Sequence, residues 1–279
     1  MANFVKIAWH GLHFGEEPPL VGNKGAGPSA RLGAGTIFFT GCNLKCVYCQ
    51  NYQISWQNLG KEYSVDELAS LMLELQNQGA LNIDLVSPTI WVNQIKVAIK
   101  SAREKGLRLP IVWNSNAYES AEMIRGLEGL VDIYLPDFKY GDNSLALKYS
   151  GVKNYVEKAK EAIKEMLGQV GNLKLSKQGI AERGLMVRHL ILPGNIENSL
   201  KVLNYIKEID KDICFNLMSQ YEPVFKVKDF PEINRNIKPE EYKIVFDYLL
   251  ELGLENGWVQ EMKSHAVFLP DFTKANPFG

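Results

Sequence analysis

The sequence predicts an α/β fold: a parallel sheet with its helices outside, built as a partial (β/α)6 TIM-like barrel behind a glycine-rich N-terminal extension. Three observations lead there. Six short apolar runs alternate with segments of helical period. The runs are apolar almost throughout, as strands buried on both faces must be. Six such units are too few to close an eight-unit barrel and enough for an open one.

The first strand is Thr36-Ile37-Phe38-Phe39-Thr40. A helix then opens at Ser64, with Glu67 three residues later as a capping box. It repeats Leu68, Leu71, Met72 and Leu75 and stops at Gly79. The second strand, Ile83 to Val86, leads to a helix carrying Ile95, Ala98, Ile99 and Ala102 and ending at Gly106. Ile111-Val112-Trp113 is the third strand and Val131 to Leu135 the fourth, followed by a long helix from Tyr155 to Leu167. The fifth strand, Leu185 to Leu192, precedes a helix from Leu200 to Ile206. Ile213 to Met218 is the sixth. A last helix starts at Pro239, a good first-turn residue. The barrel is expected over residues 36–279, with residues 1–35 as extension or plug.

At 279 residues, 46% hydrophobic and 23% charged, the chain suits one large domain with a sizeable core. A net charge of −1 gives no electrostatic footprint for nucleic acid or anionic lipid. No signal-peptide pattern and no membrane-length apolar run are present, so a soluble cytoplasmic protein is expected.

Three of the four cysteines fall together in Gly41-Cys42-Asn43-Leu44-Lys45-Cys46-Val47-Tyr48-Cys49, just after the first strand. In a cytosolic chain such a cluster points to metal ligation or catalysis more than to disulfides. A CxxxCxxC loop can wrap three thiolates around one face of a [4Fe–4S] cluster and leave one iron open, since four thiolates are the usual complement. A structural zinc site needs a fourth ligand, and only His10 and His13, far upstream, could offer one. A Cys46/Cys49 redox dithiol would leave Cys42 idle. Cys214, alone in an apolar run, reads as core.

At these residues the chain resembles the radical SAM superfamily, with Tyr48 the aromatic before the last cysteine. More narrowly, it is similar to pyruvate formate-lyase activating-enzyme homologues. The likeness is carried by Gly15-Glu16-Glu17-Pro18 through Gly41-Cys42, and by Cys49-Gln50-Asn51-Tyr52. It continues in Val187-Arg188-His189-Leu190-Ile191-Leu192-Pro193-Gly194 and in Met218-Ser219-Gln220-Tyr221-Glu222-Pro223. The resemblance implies a [4Fe–4S] cluster on Cys42, Cys46 and Cys49, with S-adenosylmethionine (SAM) chelated to the open iron. It implies reductive cleavage to a 5′-deoxyadenosyl radical that abstracts hydrogen, and an electron donor of flavodoxin or ferredoxin type.

Polar residues at the strand ends are the candidates to hold SAM. Ser87 and Thr89 stand where many of these enzymes carry Gly-Gly-Glu; the alternative is a plain Ser-Pro turn. Asn114 and Ser115 stand where activating enzymes carry Asp-Thr, so the charge of a cation site is missing there. Asp137 and Lys139 match the family's Asp-x-Lys and share a strand face, either to neutralise the SAM carboxylate or as an ion pair at the rim. Arg188, in an apolar run, needs an anion: SAM by resemblance, or a protein carboxylate. His189 faces the other way, toward a helix. Gln220 and Tyr221 stand where related enzymes place a histidine near the adenosyl group. The Gly22–Gly27 segment lacks a phosphate loop's Gly-Lys-Ser/Thr ending and reads as a lid.

The substrate stays open: a glycyl-radical enzyme, a small molecule, a peptide or RNA. Without a second cysteine cluster there is no auxiliary iron–sulfur site, which disfavours sulfur insertion. A non-catalytic iron–sulfur or zinc protein is the reading from another class.

Overall fold

The six apolar runs form six parallel strands where the sequence places them, and the structure adds to both edges. It is a computed structural model that describes residues 3–22, 33–260 and 269–278. In chain order the strands are β1 (Phe4–His13), β2 (Ala34–Phe39), β3 (Lys61–Ser64), β4 (Ile83–Val86), β5 (Ile111–Ser115), β6 (Ile133–Pro136), β7 (Lys174–Leu175), β8 (Ala181–Leu190), β9 (Cys214–Met218) and β10 (Gly257–Val259). The helices are α1 (Pro18–Val21), α2 (Tyr52–Ser55), α3 (Val65–Asn77), α4 (Val92–Glu104), α5 (Ala121–Arg125), α6 (Asn143–Ser150), α7 (Tyr155–Val170), α8 (Ile196–Ile209) and α9 (Pro239–Glu251).

The sheet runs β10-β9-β8-β6-β5-β4-β2-β1-β3 and does not close. β2, β4, β5, β6, β8, β9 and β10 are parallel neighbours, whereas β1 pairs antiparallel with both β2 and β3. β1, β3, β7 and β10 are strands that the sequence analysis does not predict. Residues 4–13, placed there in the extension, are hydrogen-bonded into the sheet edge beside β2. Of the expected lid, only Gly22 belongs to the described residues.

The helix signals behave as their chemistry dictates. Ser64 accepts from the Glu67 N–H while Glu67 reaches back to the Ser64 N–H, completing the capping box. Leu68, Leu71, Met72 and Leu75 are buried, as are Ile95, Ala98, Ile99 and Ala102 on α4. Cys214 is buried against Val112, Ile133 and Met186, as core. This arrangement sets the carboxyl ends of β2, β4, β5, β6, β8 and β9 around one cavity of about 480 Å³.

Candidate active site

Gly41, at φ +92°, turns the chain out of β2 into the cysteine loop, a conformation suited to glycine. Cys42, Cys46 and Cys49 then line one wall of the cavity. Each sulfur has a donor or hydroxyl partner. The Cys42 Sγ accepts from the Leu44 N–H at 3.4 Å and from Asn116 Nδ2 at 3.3 Å. Ser150 Oγ donates to Cys46 Sγ at 2.9 Å, and Ser55 Oγ lies 3.2 Å from Cys49 Sγ. Burial pushes the Cys46 thiol up to about 12, against the pull of Lys139, and raises Cys49 as well.

In the same cavity, Asp137 bridges two cations. Its Oδ2 accepts from Lys139 Nζ at 2.8 Å and its Oδ1 from Arg188 Nε at 2.7 Å. Burial alone would raise Asp137, but the two cations hold it below its ordinary value. Asp137 and Cys46 in turn raise Lys139 against its burial.

Arg188 has protein partners on every side, which answers for the apo site the question its sequence posed. Its Nη1 lies 3.1 Å from Glu16 and 3.6 Å from Glu17, and its Nη2 donates to Asn114 Oδ1 at 2.7 Å. Glu16 and Glu17 entered the sequence analysis only as part of the family resemblance and were given no role; the signal was two adjacent acids in front of Pro18-Pro19. Glu17 Oε1 accepts from Asn216 Nδ2 on β9. Asp84 on β4 is fully buried, and burial pushes its carboxyl up to about 7. Burial, with Asp84, Glu17 and Asp137 nearby, pushes Glu16 well above the carboxylate range although Arg188 pulls it down.

Tyr48, Ser87, Asn114, Ser115, Asp137, Lys139, Arg188 and Gln220 all border the cavity with the three cysteines. Thr89 and Tyr221 do not. The Thr89 hydroxyl donates to Glu119 Oε1 at 2.8 Å, and Tyr221 donates to Ile233 O at 2.7 Å. Glu119, buried, also accepts from Trp113 and Ser115 and so ties the loops after β4 and β5 together. It claims the Ser115 hydroxyl too. Ser87 adopts φ +58°, rare for a side-chain-bearing residue, and its N–H bonds Asn114 O at 3.0 Å. Tyr48 spends its hydroxyl on Tyr140 at 2.7 Å, which makes it a support of the cysteine loop. His189 lies off the cavity, bonded to Phe138 O and Ser199 Oγ on α8.

The radical SAM superfamily model matches residues 36–172, from β2 through the cysteine loop to the end of α7. The chain belongs to the radical SAM superfamily. It is 32% identical to an uncharacterised protein of Methanocaldococcus jannaschii, over 88% of this chain and 67% of that one. To the pyruvate formate-lyase-activating enzyme of Clostridium pasteurianum it is 25% identical, over 81% of this chain and 92% of that one. Streptococcus suis SuiB bound to its precursor peptide SuiA shares the fold at a TM-score of 0.56 and 13% identity, over 83% of this chain. The chain spans about half the length of that structure, 50%.

A radical SAM fold implies a [4Fe–4S] cluster and SAM, and the residues present fit both. Among the described residues no three candidate ligands converge tightly enough for a single metal ion. A cubane places each thiolate on a different iron, so its ligands stand wider apart while facing one cavity. All three cysteines border the one cavity. Among the described residues no helix is long and apolar enough to cross a membrane.

Proposed function

We propose that the protein holds a [4Fe–4S] cluster on Cys42, Cys46 and Cys49 and cleaves SAM reductively to abstract hydrogen from a peptide or protein substrate. The observation that carries the reading is the shared cavity, bordered by the three thiols and by a largely buried lysine with its carboxylate. When bound, the cluster supplies the electron that breaks the sulfonium C–S bond, giving methionine and the 5′-deoxyadenosyl radical.

The chain's own residues bind and orient. Lys139 Nζ, 2.8 Å from Asp137, stands ready to meet the SAM carboxylate, and Asp137 fixes its direction. Asp137 is itself held by Arg188, so Arg188 acts as the support of that lysine–carboxylate pair. The Ser87 hydroxyl and backbone carbonyls at the ends of β4 and β5 offer acceptors to the SAM ammonium, while Asn114 Oδ1, which borders the same cavity, already accepts from Arg188. Gln220 borders the cavity just beyond the end of β9, where the adenosyl end would lie. A volume of about 480 Å³ is within the ordinary range for a small-molecule site.

Likeness to an activating enzyme over most of both chains, and to a peptide-bound enzyme in fold, supports a polypeptide substrate, with a glycyl-radical enzyme as the first partner to try. The test is anaerobic reconstitution with iron and sulfide, reduction with SAM present, and assay for 5′-deoxyadenosine. Failure to assemble a cluster, or a reduced cluster that leaves SAM intact, refutes the proposal.

A further inference from the structure

Beside the cysteine loop, on the outer surface, two lysines converge on one indole. Lys226 Nζ lies 4.1 Å from the centre of the Trp56 ring and Lys45 Nζ lies 5.3 Å from it. Both lysines are exposed. Lys45 Nζ donates to the backbone oxygen of Ser55, and among the described residues neither ammonium is matched by a carboxylate. In a chain of net charge −1 this is a local positive focus, and the two like charges repel until an anion joins them.

The indole between them is wired to the metal-ligand loop. Trp56 Nε1 donates to the backbone oxygen of Cys46 at 3.1 Å, and the Lys226 N–H bonds Val47 O at 3.0 Å. Phe225 packs edge-on against Trp56 at 5.3 Å and stacks on Tyr52 at 4.8 Å. It does so from φ +65°, a backbone conformation unfavourable for a residue with a side chain, so the aromatic patch is held at a cost.

We infer that the Lys45–Trp56–Lys226 patch is the docking surface for an acidic one-electron carrier protein, and that its electron enters the cysteine loop there. The inference rests on the function proposed above, which needs one electron per SAM cleaved. In each transfer the carrier would give up one electron, and a cluster held on the Cys42, Cys46 and Cys49 thiolates would take it up. Charge complementarity selects the partner: a carboxylate rim around a redox group would pair with the two ammoniums and set that group against the half-buried Trp56 ring.

The test uses the reconstituted holoprotein with a purified flavodoxin and, separately, a [2Fe–2S] ferredoxin. Both the affinity and the second-order rate of cluster reduction are followed at low and high salt. The Lys45→Glu/Lys226→Glu variant should bind at least one carrier about tenfold more weakly at low ionic strength, and be reduced about tenfold more slowly. The gap should close near 1 M salt, where the Debye length falls to about 3 Å. Lys45→Gln/Lys226→Gln should fall between, and bleaching by dithionite should be equal in all three proteins. Equal carrier binding by wild type and the Glu variant overturns the inference, as does a gap that persists at 1 M salt. So does the absence of any complex with either carrier, or a lysine-dependent self-association in its place. Dithionite-driven 5′-deoxyadenosine formation judges the chemistry separately. If it fails while lysine-dependent carrier binding holds, the proposed reaction falls and the docking surface stands.

Discussion

Ser150 Oγ lies 2.9 Å from Cys46 Sγ and ends a buried chain that runs from Tyr48 through Tyr140 to Ser150. The Tyr140 and Ser150 hydroxyls are 2.6 Å apart. A hydrogen bond donated to a thiolate ligand stabilises the more negative, reduced state of the cluster it holds. Ser150→Ala removes that donor and should make reduction harder. The reduction potential, measured by anaerobic titration of the reconstituted protein, is expected to move to a more negative value while cluster content stays unchanged. An unaltered potential would show that the bond only packs α6 against the loop.

Cys46→Ala should act on a different step. With two thiols left on the cavity wall, reconstitution is expected to give little or no iron–sulfur absorbance, while Cys214→Ala retains it, because Cys214 packs among Val112, Ile133 and Met186 away from the cavity. Iron and sulfide counts per chain decide the matter.

What the sequence made legible was the part written in local patterns. Six parallel strands, the Ser64 cap, the cysteine loop and the Asp137–Lys139 pair all follow from short-range periodicity or spacing. What it concealed depends on contacts between distant segments. Glu16 reaches Arg188 across 172 positions and Asn216 reaches Glu17 across 199, and no window of sequence holds both partners. Thr89 and Tyr221 show the same limit from the other side. Their positions at strand ends were right for a ligand, but Glu119 and the Ile233 carbonyl had already engaged their hydroxyls. β1 was passed over because its burial alternates only at Val5 and Ile7 before the pattern breaks down.

Lys139 and Arg188 should now separate under substitution. Removing Lys139 leaves Asp137 paired with Arg188, so Lys139→Met should fold and lose a charged hydrogen bond to SAM, about 1.5–3 kcal/mol or roughly 10- to 100-fold in Kd. Equilibrium binding of SAM to the reconstituted variant measures it, and an unchanged Kd would remove Lys139 from the site.

Arg188→Met should fail earlier, at folding. It removes the cation from Glu16 and Glu17, leaves Asp137 with Lys139 alone, and crowds three carboxyls in one largely buried space. A loss of about 3–5 kcal/mol is expected for breaking such a pair. Urea denaturation of the apo chain gives the figure. A variant as stable as the parent would mean that the carboxyls take up protons or water at little cost.

His189 supplies the pH dependence. It is fully buried, and because the Phe138 carbonyl 2.7 Å away can only accept, Nδ1 carries the proton while Nε2 accepts from Ser199. Burial pushes its pKa from 6.5 down to about 4. Between those values the unfolded chain binds a proton that the folded chain refuses, so the His189 contribution rises with pH through that window, while Asp84, raised to about 7 by burial, contributes in the opposite sense. The neutral imidazole's full contribution is present above pH 6.5 and drains away as pH falls toward 4, to a depth of about 3 kcal/mol. His13, also lowered to about 4 by burial, adds a parallel slope that must be subtracted. Urea denaturation of the parent and of His189→Gln at intervals from pH 4 to 7 isolates the His189 share. The variant should be less stable at pH 7 and lose less on acidification; equal slopes in the two proteins would mean that His189 takes up its proton without leaving its place against α8.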